Sequence, residues 1–579
     1  MTDTEAGGLA YKWIALSNTT LGVLMASMNQ TIVMISLPMV FRGLHVNPLG
    51  GGQTGLLLWV LMGYTAATTV LLVTVGRISD SFGRVRFYNL GFVIFTLGSL
   101  LSAITPGVGA AGEVELIVFR VVQGVGGAFL FANSAAILTD AFPPTQRGLA
   151  LGVNQIAAIG GSVLGLVLGG ALASVNWRFV FLVSTPVGLA GTIWAYLKLR
   201  ELGVRTARRL DTWGNLTFGI GLTALMIGLT SVLMPYRTAP MGWGDPTIQG
   251  TLALGVALLL VFIWIESRVE DPMFELRLFR IRPFWAGNLS GFLASLSRGG
   301  LQFMLIIWLQ GIWLPLHGVP FSETPLLAGI DTLPMMAGFV IAGPISGVLS
   351  DRYGARTFST VGMLLSGLGF LLLTTLPADF SFPVFAGYLV LMGVGMGLFS
   401  APNAASIMSA VPAEHRGVAS GMRATFQNAG TMMSMATFFT IAISGLSTHL
   451  PPALRSGLSH AGLPLPLAVG ISHLPPVAAL FSALLGYNPL GSLIGPKILG
   501  ALPAAVRTHL LAPHFFAQLI ANPFGESLHT VFYISLGLSI VAALASLMRG
   551  RHFVEDLHGA SAQRPSNEAT SVPAVETTD

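Results

Sequence analysis

The stretch Gly76-Arg77-Ile78-Ser79-Asp80-Ser81-Phe82-Gly83-Arg84-Val85-Arg86 is a short charged island between two long apolar runs, and it returns later in the chain. Gly347-Val348-Leu349-Ser350-Asp351-Arg352-Tyr353-Gly354-Ala355-Arg356 repeats its order and spacing. Gly76 and Gly347, Asp80 and Asp351, and Gly83 and Gly354 are each 271 residues apart (351 − 80). In a second block, Gly124-Val125-Gly126, Pro143, Arg147-Gly148, Ala150 and Gly152 pair with Gly393-Val394-Gly395, Pro412, Arg416-Gly417, Ala419 and Gly421, at 269 residues (393 − 124). Two matched blocks with a two-residue slip between them are the mark of an internal duplication. In an apolar chain, duplication predicts two homologous membrane bundles with a site between them.

Composition agrees with that reading. The chain is 53% hydrophobic and 9% charged, with a mean hydropathy of +0.74, whereas soluble domains carry roughly 25% charged residues. Cysteine is absent, which excludes disulfides, thiol catalysis and cysteine metal sites. The net charge of +5 reads as a bias of cytoplasmic loops rather than as a nucleic-acid footprint. The first apolar run is too long for a cleaved signal peptide and is expected to stay as a helix.

A helix needs about 20 predominantly apolar residues to cross the hydrocarbon core. Fourteen runs qualify. Six, from Trp13–Val40 to Phe179–Leu197, form the first repeat, and six, from Phe284–Trp308 to His529–Met548, form the second. Trp213–Met234 and Ile248–Ile265 lie between them. The expected architecture is an all-α integral membrane protein of two pseudo-symmetric six-helix bundles plus two linking helices. Its divisions are an N-terminal bundle over 1–199, a linker over 200–283, a C-terminal bundle over 284–549 and a tail over 550–579. With both termini cytoplasmic, roughly twenty of the 29 Lys and Arg fall inside, among them Lys198, Arg200, Arg205, Arg208 and Arg209. The outer segment 447–527, rich in Pro, Leu and Ala, carries runs too short to span. It is expected to form interfacial helices against the outer leaflet or over the cavity exit.

With these features together, the chain resembles major facilitator superfamily transporters of the fourteen-helix drug:proton antiporter family, over nearly its whole length. The resemblance assigns Gly76, Asp80, Gly83 and Arg84, with Gly347, Asp351 and Gly354, to the loops that set the cytoplasmic gate. Arg120, in Arg120-Val121-Val122-Gln123-Gly124, resembles the proton-transfer motif of the fourth helix. A charge there costs about 2.5–3.5 kcal/mol to insert, so it needs a polar cavity or a partner. Gly161, Gly165 and Gly169 share one face of the fifth helix, allow close packing, and resemble the antiporter motif of exporters. The Pro usual after the central Gly is Leu166 here.

A second departure concerns coupling. Family members carry Asp where this chain has Asn29, and an amide cannot titrate. Asp331, two turns into the tenth helix, then becomes the leading proton-coupling carboxylate beside Arg120. Asn29, Gln123, Arg298 and Gln310 are candidates for the substrate cavity, with Arg423 and Gln427 adding polar lining. Arg298 lies near mid-span and is expected to face that cavity, to pair with Asp331 or to meet an anionic substrate. Glu113 and Glu115, at the outer end of the fourth helix, read as interfacial.

The chain has no GxxxxGK[ST] loop, no paired-histidine metal spacing and no catalytic constellation. No enzyme activity, cofactor, metal or nucleic-acid partner is therefore expected. The leading expectation is a monomeric, proton-coupled exporter of lipophilic or amphipathic compounds in the cell membrane, working by alternating access. Export or flipping of an envelope lipid stays open as a second reading, and a non-transporting membrane scaffold or sensor as a third.

Overall fold

The computed structural model describes residues 3–46, 49, 54–143, 146–202, 211–232, 236, 241–412, 415–512 and 514–550. At residues 3–10, 54, 55, 57, 147, 148, 351, 416 and 417 it describes the backbone alone. Arg205, Arg208, Arg209, the side chain of Asp351 and the tail from 551 lie outside the described residues. Among the described residues, fourteen helices are long and apolar enough to cross a membrane. In chain order, spans 1 to 6 are Tyr11–Gly43, Leu58–Phe82, Arg84–Ala103, Gly109–Ala141, Leu149–Val175 and Phe179–Lys198. Spans 7 and 8 are Thr212–Ser231 and Pro246–Glu266. Spans 9 to 14 are Arg282–Leu316, Thr324–Ser350, Ala355–Leu373, Phe382–Ser409, Val418–His460 and Phe515–Leu547. A helix satisfies its own backbone hydrogen bonds, which is the condition for crossing lipid.

The duplication is visible in the packing. Span 1 lies on span 5, span 2 on span 4, and span 3 on spans 4 and 6. Span 9 lies on span 13, span 10 on span 12, and span 11 on spans 12 and 14, in the same order. Close contacts recur at paired residues. A Cβ on Gly124 would stand 2.4 Å from the Tyr64 carbonyl oxygen, and one on Gly393 2.0 Å from that of Met335. A Cβ on Gly126 would meet Phe95 N at 2.4 Å, and one on Gly395 would meet Ser366 N at 2.6 Å. The repeated glycines therefore bring paired helices into backbone contact, where any side chain would force them apart. Spans 2 and 3 join at Gly83 (φ 116°), and spans 10 and 11 at Gly354 (φ 85°). L-residues with side chains rarely adopt such angles, so the two islands turn the chain in the same way.

The two halves meet through spans 5 and 10 and through spans 2 and 13. On the first of these seams the contact is at the outer end, where a Cβ on Gly170 would stand 2.4 Å from Leu326 Cα, and one on Gly329 2.8 Å from the Leu166 carbonyl. Toward the other ends, Leu149 and Ile156 of span 5 and Ile341, Ile345 and Val348 of span 10 are exposed. Span 7 lies beside spans 2 and 13 and packs on span 8. Asp211 caps span 7 by accepting from Gly214 N at 2.8 Å, and Glu266 accepts from Phe274 N at 2.8 Å. Arg77 of the first island donates to the carbonyls of Asp271 (2.9 Å) and Pro272, which ties the linker to span 2.

Spans 13 and 14 differ from expectation. Span 13 continues past Leu446 to His460, and span 14 begins at Phe515 rather than His529. The sequence hid both extensions because Pro451 and Pro452 lie inside span 13 and Pro523 inside span 14, and proline reads as a breaker. At 1.5 Å per residue, span 13 is roughly 64 Å long, about twice the hydrocarbon thickness. His449 and Glu526 join the two extensions at 2.7 Å. Between them, helices Leu465–Ser472 and Pro476–Leu484 bend 91° on each other. Every residue of the second is buried. Its C-terminal end is held by Arg42 of span 1, which donates to the carbonyls of Leu485 (2.7 Å) and Gly486 (3.0 Å) while stacking 3.6 Å from the Phe321 ring. The outer segment is thus inserted at the mouth of the molecule and fixed to both halves.

Candidate functional site

Arg120 is 1% exposed, the largest charged side chain enclosed in the first half. Its guanidinium donates to Asn29 Oδ1, to Gln123 Oε1 and, at 3.2 Å, to the Val60 carbonyl. It also lies 4.6 Å from the Tyr64 ring centroid. Gln123 Nε2 donates to Ser99 Oγ at 2.6 Å, and Asn29 Nδ2 to Ser184 Oγ at 3.5 Å. Spans 1, 2, 3, 4 and 6 thus converge on one cation through neutral acceptors. Among the described residues no carboxylate is bonded to it. Asn29 and Gln123, candidates for the substrate cavity, are both buried and accept from Arg120.

The second half is built differently. Arg298 lines a cleft with Ala294 and Ser297 of span 9, Ser366 and Phe370 of span 11, and Met392 and Met396 of span 12. The cleft lies within the second half and not between the halves. The reason is local: Gly299 and Gly300 face span 13, where their Cβ atoms would meet Thr431 Cα at 2.7 Å and Phe438 Cβ at 2.8 Å. The adjacent Arg298 is therefore turned toward spans 11 and 12. Neither is Arg298 paired with Asp331; among the described residues no ion pair joins them. Arg298→Ala is expected to lose most transport and Arg298→Lys to keep part of it, because lysine retains the charge but not the planar fork. Initial rates in vesicles, normalised to protein in the membrane, check this.

Gln310 sits in a π-helical turn, Leu309–Trp313, a wide turn often found at functional positions. Its amide donates to the Ile35 carbonyl across the halves at 2.9 Å, while its Oε1 is buried without a partner. Asp331, half-buried, ends helix Thr324–Asp331, and span 10 breaks at Thr332 before Pro334. It follows Gly329, the residue in contact with span 5. Arg423 donates to Gln427 within span 13 at 3.1 Å. Arg549, just past span 14, carries no signal in the sequence that marks it out. It is 4% exposed and reaches Ser290 of span 9 (2.6 Å), Ser359 of span 11 (3.4 Å) and Asn403 of span 12. Burial pushes its guanidinium down to about 9.

The Major Facilitator Superfamily family description matches residues 19–435. The chain belongs to that superfamily. It is 29% identical over 452 residues to the Tetracenomycin C resistance and export protein of Streptomyces glaucescens, covering 77% of this chain and 79% of that one. It is 28% identical over 561 residues to the Multidrug transporter protein MdtP of Bacillus subtilis, covering 94% of each. Among solved structures, a bacterial homolog of the human lysosomal transporter Spinster, inward-facing and unoccupied, superposes with a TM-score of 0.56 at 16% identity, over 94% of this chain and 99% of that one. That likeness shows the fold alone. The fourteen spans and the drug-resistance relatives place this superfamily member with the fourteen-helix drug:proton antiporters, and it is a transporter rather than an enzyme.

In this major facilitator protein the first charged island is a closed network. Arg84 bonds Asp80 and Asp140, both at 2.7 Å, and Glu201 accepts from the backbone N–H groups of Arg84 (2.9 Å) and Val85 (3.0 Å). Spans 2, 3 and 4 and the chain after span 6 are thereby clamped together at one end of the bundle. Gly76 has open space beside it. Gly161, Gly165 and Gly169 lie against span 1, where Cβ atoms would come within 2.3 Å of the Leu24 carbonyl, 2.1 Å of Thr31 Oγ1 and 2.5 Å of Ile35 Cγ2. Asp80→Asn is expected to slow turnover while changing substrate affinity only a fewfold, since Asp80 touches the clamp and not the enclosed polar residues. Equilibrium binding alongside transport rates checks it.

Proposed function

We propose that the chain exports lipophilic or amphipathic small molecules against their gradient, driven by protons through alternating access. The observation that carries this reading is the arrangement of the two halves. They close on each other at the outer ends of spans 5 and 10, and each half holds its own buried polar group, Arg120 with its amide partners in the first and Arg298 in the second. Two homologous bundles that can rock about such a seam present a site to either face in turn. The names of the relatives, a resistance and export protein and a multidrug transporter, support outward transport of drug-like molecules. The absence of a nucleotide-binding loop from the sequence points to an ion gradient as the energy source. Within this reading Asp331 carries the coupling proton and Arg120 organises the first half. The chain acts as a single copy in the cell membrane with both termini in the cytoplasm.

Purified protein in liposomes tests this. An imposed inward proton gradient is expected to drive uphill efflux of a lipophilic dye, and an ionophore that collapses the gradient should stop it. Uphill efflux that ignores the proton gradient would overturn the reading. The inserted outer helices favour a second cargo, an envelope lipid, and a fluorescent lipid in the same assay separates the two.

A further inference from the structure

The cleft beside Arg298 occupies the place in the second half that the Arg120 cluster occupies in the first. Matched close contacts set the register. Gly124 on Tyr64 and Gly126 on Phe95 answer to Gly393 on Met335 and Gly395 on Ser366, which puts spans 4 and 12 at 269 residues (393 − 124) and spans 3 and 11 at 271 (366 − 95). A Cβ on Gly161 would meet the Leu24 carbonyl at 2.3 Å, and one on Gly430 the Phe292 carbonyl at 2.8 Å, which puts spans 1 and 9 at 268 (292 − 24). Arg120 and Gln123 thus correspond to Leu389 and Met392, Ser99 to Phe370, and Asn29 to Ser297.

The second half keeps a cation at this level but has lost what holds it. Arg298, next to Ser297, lines the cleft with Met392 and Phe370, which replace the amide and the hydroxyl of the first half. The Ser297 hydroxyl is committed to the Ala294 carbonyl at 3.0 Å. Among the described residues Arg298 has no hydrogen-bond or ion-pair partner. Carboxylates that could neutralise it are missing or taken. Spans 9, 11, 12 and 13 contain no Asp or Glu, Glu526 of span 14 is bonded to His449 at 2.7 Å, and Asp331 of span 10 is not bonded to it. Arg423 on span 13 and Arg549 past span 14 add positive charge to the same bundle.

We propose that this cleft binds a lipophilic organic anion, with its carboxylate on Arg298 and its apolar body along the methionine and phenylalanine walls. The proposal deepens the export reading above and rests on it for the role of the anion as cargo. A guanidinium withdrawn from water without an acceptor is costly, and a carboxylate matches its planar fork. Ser366 Oγ, which lines the cleft and is buried without a partner, supplies a further donor. A bare inorganic anion would meet one cation, one hydroxyl and otherwise thioether and ring carbon, too little to replace its water, whereas an organic body gains from those same walls. The cleft has a volume of about 10 Å³, room for one water at most, so a ligand enters by moving the walls. Met363, Met392 and Met396 are unbranched side chains that re-pack readily.

Purified full-length protein in detergent, with no gradient, is tested by scintillation proximity with radiolabelled naphthaleneacetate. Unlabelled acid, neutral naphthaleneacetamide, cationic naphthylmethylammonium and chloride compete. Wild type should bind the acid about tenfold more tightly than the amide, the worth of one charge-assisted bond, and the cation more weakly still. Arg298→Gln should erase that preference. Met392→Gln restores an acceptor where the first half has Gln123, so it should weaken binding of the acid about tenfold without lowering the melting temperature; it keeps the test decisive if the Arg298 variant fails to fold. A wild type that binds acid and amide equally overturns the proposal, as does a preference for the acid that survives both substitutions. Chloride that displaces the probe as effectively as the unlabelled acid also overturns it, since the site would then take any small anion. Anion binding without proton-driven efflux in the liposome assay would sink the functional reading and leave this site standing, and proton-driven efflux by a protein that does not bind the anion would do the reverse.

Discussion

Arg120→Ala is expected to abolish active export and to destabilise the first half. The substitution leaves Asn29 Oδ1, Gln123 Oε1 and the Val60 carbonyl facing the space the guanidinium filled. Each orphaned buried acceptor costs about 1–3 kcal/mol. Part of that is recovered if Asn29 and Gln123 bond one another, so a lower melting temperature with some folded protein in the membrane is the expected outcome. Arg120→Lys separates folding from function. It keeps the charge and one or two of the bonds but cannot bridge spans 1, 2 and 4 at once. That variant should fold with a modest loss of stability and transport at a small fraction of the wild-type rate. Wild-type turnover in Arg120→Lys would show that the cluster only fills space. Asn29→Asp extends the test, because it places a titratable carboxylate against the guanidinium. A gain in proton-coupled export would mean that the amide at this position limits coupling in the natural chain.

Much of this architecture was legible because membranes make sequence literal. Apolar run length maps onto span number, and the recurrence of Asp80 and Gly83 as Asp351 and Gly354 exposes the duplication that the packing then repeats. Legibility failed where a residue's meaning depends on its three-dimensional neighbours. Asn29 and Gln123 can line a cavity or hold a cation, and the convergence of five spans on Arg120 is not visible in their spacing along the chain. The direction of Arg298 is set by the glycine pair that follows and by the face those glycines give to span 13. Pro451, Pro452 and Pro523 read as helix ends because proline lacks an amide donor. Inside a packed bundle the kink is tolerated, so the outer extensions went unseen. Glu113, whose side chain is enclosed by protein, lay too near a helix start for sequence to distinguish a wet carboxylate from an enclosed one.

Asp331→Asn should abolish gradient-driven accumulation while leaving downhill exchange of substrate intact. The argument begins at the break in span 10. Helix Thr324–Asp331 ends where Thr332 Oγ1 donates back to the Gly329 carbonyl at 2.9 Å, and the next segment starts at Leu333 with Pro334 in its first turn. Gly329 lies against the Leu166 carbonyl of span 5, so Asp331 follows directly on the seam between the halves. Rocking about that seam must change how much water reaches its carboxyl. A group that is wetter in one conformation than in the other binds its proton with different affinity in the two, and that difference is what couples a proton gradient to the cycle. Asparagine preserves the shape and hydrogen-bonding capacity but carries no proton, so the cycle can still turn over with substrate on both sides while gaining nothing from the gradient. The comparison is made in one set of liposomes, measuring counterflow of labelled substrate and then uphill efflux under an imposed gradient. Uphill transport at the wild-type level with unchanged pH dependence would reduce Asp331 to a helix-terminating residue. Coupling would then have to run through another carboxylate.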